Sequence, residues 1–281
     1  MTPDEYHDAA LVLVGHGSTL NAESSAPTYQ HADELRRRGV FGQVLECFWK
    51  LEPAICAVLR GVYMPRVFVV PLFISEGYFT EEVIPRELGL GTPDDSAKPF
   101  SRTQRRGEQT VYYCGPVGTH PRMTDVLCAR ARDVVAAHPF PRAPRPADVS
   151  LFIAGHGTSN NENSRKAIEA QVELIRARQI YASVHAVFME EEPRIEECYA
   201  LAQTRNIVMV PFFISDGLHS YEDIPVMLGE PERIVQERYR NQQPTWRNPT
   251  EKQGKRVWYA PSIGSEPLLA EVILERVRES A

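Results

Sequence analysis

Pro71-Leu72-Phe73-Ile74-Ser75-Glu76-Gly77 returns 140 residues later as Pro211-Phe212-Phe213-Ile214-Ser215-Asp216-Gly217. Working outward without a gap, Gly15-His16-Gly17-Ser18 falls on Gly155-His156-Gly157-Thr158, Glu52-Pro53 on Glu192-Pro193, and Leu88-Gly89 on Leu228-Gly229. From Leu11 to Gly89, 24 of the 79 aligned positions are identical. Such self-similarity at a fixed offset marks an internal duplication. Beyond this block the offset becomes 146, where Tyr113 matches Tyr259, Gly118 matches Gly264 and Pro121 matches Pro267. The stretches 90–110 and 230–255 are polar and dissimilar, and are expected to be loops or surface arms. His138-Pro139-Phe140-Pro141-Arg142-Ala143-Pro144-Arg145-Pro146 separates the copies. Its prolines exclude a helix or sheet interior and predict an extended linker. The expected division is a copy at 1–138, a linker at 139–147 and a second copy at 148–281.

Within a copy, residues 11–14 and 151–154 are short apolar runs that end in Gly-His-Gly. They predict buried parallel strands with a tight exit loop. Helices are expected at 27–38 and 164–178, the second with Ile168, Val172 and Ile175 on one face. Strands follow at 44–48 and 184–188, helices opening near Pro53 and Pro193, central strands at 67–73 and 207–213, and last strands at 111–113 and 257–259. Strand–helix alternation of this kind gives an α/β fold. The expectation is two tandem parallel-sheet α/β domains related by duplication and facing each other across a cleft.

The chain has 281 residues, 43% hydrophobic and 24% charged, with a formal net charge of −6. Each copy is long enough to bury a core of its own, and the acidic balance speaks against a nucleic-acid partner. No run is long and apolar enough to span a membrane. The polar start, Met1-Thr2-Pro3-Asp4-Glu5, lacks the features of a signal peptide, so a cytoplasmic location is expected. The five cysteines form no C-x-x-C, which argues against a disulfide framework or zinc ribbon. They are read as small core residues.

In a parallel α/β sheet, ligands bind where the strands end. Three such loops of the second copy carry His156, Glu190, and His219 with Asp223. Two imidazoles and a carboxylate from three strand ends suit a divalent borderline metal with open positions. The first copy is an internal control. His16 stands opposite His156, but Lys50 stands opposite Glu190, Phe79 opposite His219, and Val83 opposite Asp223. An ammonium and a phenyl ring cannot ligate a cation, so the first copy is expected to be degenerate.

Gly155-His156-Gly157-Thr158, Phe188-Met189-Glu190 with Pro193, and the run Pro211 to Pro225 that contains Leu218-His219-Ser220-Tyr221-Glu222-Asp223 resemble the class II chelatases. The CbiX/SirB group of sirohydrochlorin chelatases is the most similar. The resemblance covers nearly the whole chain as two copies. It implies a lyase that inserts Co²⁺ or Fe²⁺, with Ni²⁺ also suited to the ligands, into the tetrapyrrole sirohydrochlorin of cobalamin or siroheme biosynthesis. The metal is then a substrate, and no permanently bound cofactor is expected. His156, His219 and Glu190 would be the metal-binding and catalytic residues, and Asp223 would orient His219. Many two-copy relatives keep their histidine pair in the N-terminal half, whereas here it stands in the C-terminal half.

The macrocycle is a polycarboxylate. Ser159 near a helix start, Arg165, Lys166, Lys50 and His16 are the candidate substrate contacts. With both copies in one chain, a monomer acting as a pseudo-dimer is expected. Two other functions fit parts of the pattern. One is a non-catalytic metal or tetrapyrrole carrier. The other is a phosphohistidine-type phosphatase, which would call for Arg-His-Gly and an arginine cluster where this chain has Gly-His-Gly.

Overall fold

The computed structural model describes residues 6–19, 21–91, 100–157 and 162–281. The first sheet has β1 (Tyr6–Gly15), β2 (Phe41–Phe48), β3 (Arg66–Pro71), β4 (Thr103–Arg106) and β5 (Gln109–Tyr113), in the order β2-β1-β3-β5-β4. The second has β6 (Val149–Gly155), β7 (Ser183–Phe188), β8 (Asn206–Pro211), β9 (Thr250–Lys252) and β10 (Lys255–Tyr259), in the order β7-β6-β8-β10-β9. All neighbours run parallel except β4 with β5 and β9 with β10. The central strands are mostly buried, and Val149–Gly155 is buried from end to end, as expected where helices cover both faces of a parallel sheet. The α/β class and the repeat are therefore as the sequence implied.

The helices are α1 (Ala26–Arg38), α2 (Ile55–Val58), α3 (Ile84–Glu87), α4 (Met123–Ala137), α5 (Glu162–Ala177), α6 (Cys198–Leu201), α7 (Ile224–Met227), α8 (Glu232–Arg240) and α9 (Leu269–Ser280). Among the described residues none is long and apolar enough to cross a membrane. Helical turns open close to Pro53 and Pro193 as expected, at Ile55 and at Ile195, two residues after each proline. Each proline carbonyl accepts a bond from the N–H of Phe48 or Phe188, at 2.9 Å in both copies. Nor are the stretches after Leu90 and Glu230 only loops: β4, β9 and α8 lie within them.

The compact units are not the sequence copies taken one after the other. One unit comprises Met1–His120 with Pro267–Ala281, and the other is Pro121–Glu266. The last helix of each copy belongs to the sheet of the other. In the N-terminal unit, α9 buries Leu269, Val272, Ile273 and Val277 and packs on β3 and α1. Arg276 in α9 donates to Pro116 O at 2.8 Å and to Thr119 Oγ1 at 2.7 Å. In the C-terminal unit, α4 buries Met123, Val126, Leu127 and Val134 and packs on β8 and α5. The Pro-rich segment expected between domains thus lies inside the C-terminal unit. There Trp258 donates to His138 O at 2.8 Å, and the Arg256 guanidinium stands 5.0 Å from the Phe140 ring centroid.

Cys47, Cys114 and Cys198 are buried and Cys56 is exposed. Burial pushes the thiols of Cys47, Cys114 and Cys198 up to about 12, so these three are core groups rather than thiolate ligands. Exposed Cys56 departs from the expected core role.

Candidate metal centre

Three neighbouring parallel strands of the C-terminal unit end together, since Gly155 pairs with Phe188 of β7 and Ala154 with Pro211 of β8. His156 follows β6 directly. Gly157 has φ +69°, and a Cβ there would come within 3.0 Å of the Phe188 Cβ, so the tight exit needs glycine. The turn folds the His156 ring back on its own chain, with Nδ1 2.8 Å from Gly157 O. A carbonyl only accepts, so Nδ1 carries the proton and Nε2 keeps its lone pair.

Glu190 lies on the loop after β7. Its N–H donates to His156 O at 3.0 Å, and its Oε1 stands 3.7 Å from His156 Nε2. His219 opens a single π-helical turn, His219–Asp223, before α7; such wide turns often occur at functional sites. His219 Nδ1 lies 2.6 Å from Asp223 Oδ2. The carboxylate therefore fixes the same tautomer as in His156 and leaves Nε2 free. The two imidazole centroids are 5.0 Å apart at 77°. His156, His219 and Glu190 are open to solvent, with side-chain exposures of 37%, 51% and 59%. Among the described residues no three histidine, cysteine or acidic side chains already close into a metal cage.

The structure brings together four of the residues read from the sequence: His156, Glu190, His219 and Asp223. Arg165 is placed elsewhere than expected. It donates to Glu169 Oε1 at 2.9 Å, Glu191 Oε2 at 2.8 Å and Glu192 O at 2.9 Å, and it stacks 4.8 Å from the Phe188 ring centroid. It clamps the loop that carries Glu190 instead of standing ready for a substrate carboxylate. Lys166 pairs with Glu162 at 2.7 Å. Ser159 lies outside the described residues. His16 and Lys50 belong to the N-terminal unit.

Sequence reasoning missed a second support. The Tyr259 hydroxyl donates to Ser220 O at 2.8 Å, and Ser220 Oγ meets Ser262 Oγ at 2.8 Å. The Ser262 N–H donates to Asp216 Oδ1 at 3.0 Å. Burial holds the Tyr259 phenol well above its usual value, so it remains a donor. This network fixes the turn that starts at His219. Its signal was the match of Tyr113 to Tyr259, since Tyr113 donates in the same way to Thr80 O at 2.7 Å.

Two imidazoles with fixed tautomers and a neighbouring carboxylate, on the segments that follow β6, β7 and β8, are donors of the class that takes a divalent metal. The comparisons with known proteins agree with that class. The CbiX family model matches residues 10–134 and 150–280. Over 279 residues the chain is 44% identical to a Halobacterium salinarum protein named "Probable sirohydrochlorin cobaltochelatase", covering 96% of this chain and 91% of that one. A multi-domain Deinococcus radiodurans protein, described as structurally similar to chelatases, superposes with TM-score 0.76 at 33% identity over 95% of this chain. The present chain spans about half of that protein, 54% of its length. SirB of Bacillus subtilis subspecies spizizenii, solved with cobalt, shares the fold with TM-score 0.60 at 19% identity, covering 97% of this chain and 95% of that one. The chain belongs to the CbiX family of sirohydrochlorin chelatases.

Proposed function

We propose that this chelatase inserts a divalent metal, cobalt first and iron second, into sirohydrochlorin at His156, His219 and Glu190. The observation that carries the reading is the pair of imidazoles whose Nδ1 atoms are each tied to an acceptor, 2.8 Å for His156 and 2.6 Å for His219. In the neutral ring each therefore presents Nε2, the nitrogen turned away from that acceptor, to a metal. The hydrated metal exchanges water for these nitrogens. Imidazole ligation of Co²⁺ or Fe²⁺ is firm enough to dehydrate the ion in part and weak enough to give it up. Insertion then exchanges two imidazole bonds for four pyrrole nitrogens and releases two pyrrole protons. Glu190, beside His156 Nε2, accepts the first, and a histidine freed of metal accepts the second. Asp223 steadies the charge that His219 gains on protonation. The preference for cobalt rests on the name of the Halobacterium salinarum relative.

The test is anaerobic. Protein, sirohydrochlorin and Co²⁺ or Fe²⁺ are mixed in turn, and insertion is followed by visible absorbance against a protein-free blank. The expected result is insertion above the blank with both metals and faster with cobalt, and a loss in Glu190→Gln that is larger in kcat than in KM. Wild type equal to the blank would overturn the chelatase reading and favour a non-catalytic carrier.

A further inference from the structure

The N-terminal unit keeps one half of the metal centre and replaces the other half with rings. His16 repeats the fold of His156, with Nδ1 2.8 Å from Gly17 O, so its Nε2 also keeps a lone pair. Phe79 occupies the His219 position on a matching π-helical turn, Phe79–Val83. Its centroid lies 5.4 Å from that of His16 at 68°, close to the 5.0 Å and 77° of His156 and His219. Trp49, Phe73 and Tyr78 surround Phe79 at 6.0, 6.1 and 5.9 Å. Tyr78 is 59% exposed. The Lys50 backbone N–H donates to His16 O at 3.0 Å, as that of Glu190 does to His156 O, so a lysine stands at the chain position of the carboxylate residue. Arg102 neutralises the nearby Glu81 and Glu76, at 3.0 and 3.8 Å.

A hydrated dication gains little here, since one nitrogen is offered and the residue at the carboxylate position carries a positive charge instead. A metal already inside a macrocycle has the opposite needs. Its four equatorial positions are filled, and it lacks an axial donor. Its ring presents a flat aromatic face, and its rim carries carboxylates. We infer that the N-terminal unit binds the metallated tetrapyrrole, with His16 Nε2 as axial ligand, the rings around Phe79 against the macrocycle, and Lys50 on a rim carboxylate. This rests on the chelatase reading, because the ligand is that reaction's product. Binding adds one coordinate bond from the Nε2 lone pair to the open axial position. No proton moves, because Nδ1 keeps its hydrogen on Gly17 O.

The test uses cobalt(II) sirohydrochlorin prepared beforehand, under anaerobic conditions, with the His156→Ala/His219→Ala chain so that the C-terminal imidazoles are absent. Low-spin cobalt(II) with one axial nitrogen splits its electron paramagnetic resonance lines into triplets. The expected result is those triplets, lost on adding His16→Ala or His16→Gln, with binding weakened at least about tenfold. Phe79→Ala weakens binding and keeps the triplets, and metal-free sirohydrochlorin binds equally well with His16 in place or after His16→Ala. Absence of the triplets, or their persistence without His16 in a chain whose melting transition is unchanged, would overturn the inference. The complex needs no turnover. A chain that fails the insertion assay but shows His16-dependent triplets therefore refutes the chelatase reading and leaves the binding site standing.

Discussion

The two units carry the same device at the same place, and only one carries it with ligands. Each has a strand that ends in Gly-His-Gly, an imidazole tied at 2.8 Å to the next carbonyl, and a π-helical turn held by a buried tyrosine hydroxyl at 2.7 or 2.8 Å. The second ring faces the first at nearly the same distance. What differs is chemistry at three positions: Glu190, His219 and Asp223 against Lys50, Phe79 and Val83. The scaffold and the ligand set are thus separable.

The largest expected effect is on the intact centre. His156→Ala and His219→Ala should each lower metal insertion at least about a hundredfold, the scale on which a positioned acid–base or ligand group acts. Anaerobic absorbance assays check this. Next is Asp223→Ala, which frees the His219 ring and releases its tautomer. Loss of such a supporting partner costs about tenfold to a hundredfold in metal affinity or rate. The comparison can also be turned around. Lys50→Glu with Phe79→His should give the N-terminal unit a weak cobalt site and raise the ions bound per chain from one toward two in an equilibrium titration. Val83 is left in place because it is buried, and an aspartate there would be desolvated.

Smaller effects sharpen the account of the supports. Arg165→Ala unties Glu191 and Glu192 and should lower kcat/KM about tenfold, equivalent to ~1.4 kcal/mol. Arg165→Lys keeps a donor but not the stacking on Phe188, and should fall between. Ser25 stands at the matching place in the N-terminal unit, where Leu51 replaces Glu191 on the loop. Tyr113→Phe and Tyr259→Phe should each cost about 1 kcal/mol of stability for the lost hydroxyl bond, seen as similar shifts in the melting curves.

Much of this was legible because the duplication supplies its own alignment. Apolar runs such as Val149–Gly155 identify buried strands, and the contrast of His219 with Phe79 identifies the site without a structure. The edge strands were not legible, since Thr103–Arg106 and Thr250–Lys252 are short and polar and carry no alternation. The tight returns at Gly107 (φ +62°) and at Gln253-Gly254 (φ +49° and +73°) were the available signal, because two-residue hairpin loops favour left-handed residues. The exchange of α4 and α9 was invisible for a different reason. An apolar stripe states that a helix will be covered, not which of two homologous sheets will cover it. Arg165 is ambiguous in the sequence because a cation near a helix start suits a substrate anion and a neighbouring glutamate equally well.

The most direct test of the central claim, that the free metal ion binds to the C-terminal unit alone, is a titration with Co²⁺ in the absence of macrocycle, followed by the visible ligand-field bands. The account predicts one ion per chain, with bands that disappear in His219→Ala. Two ions in the wild type, or bands that survive His219→Ala, would contradict it.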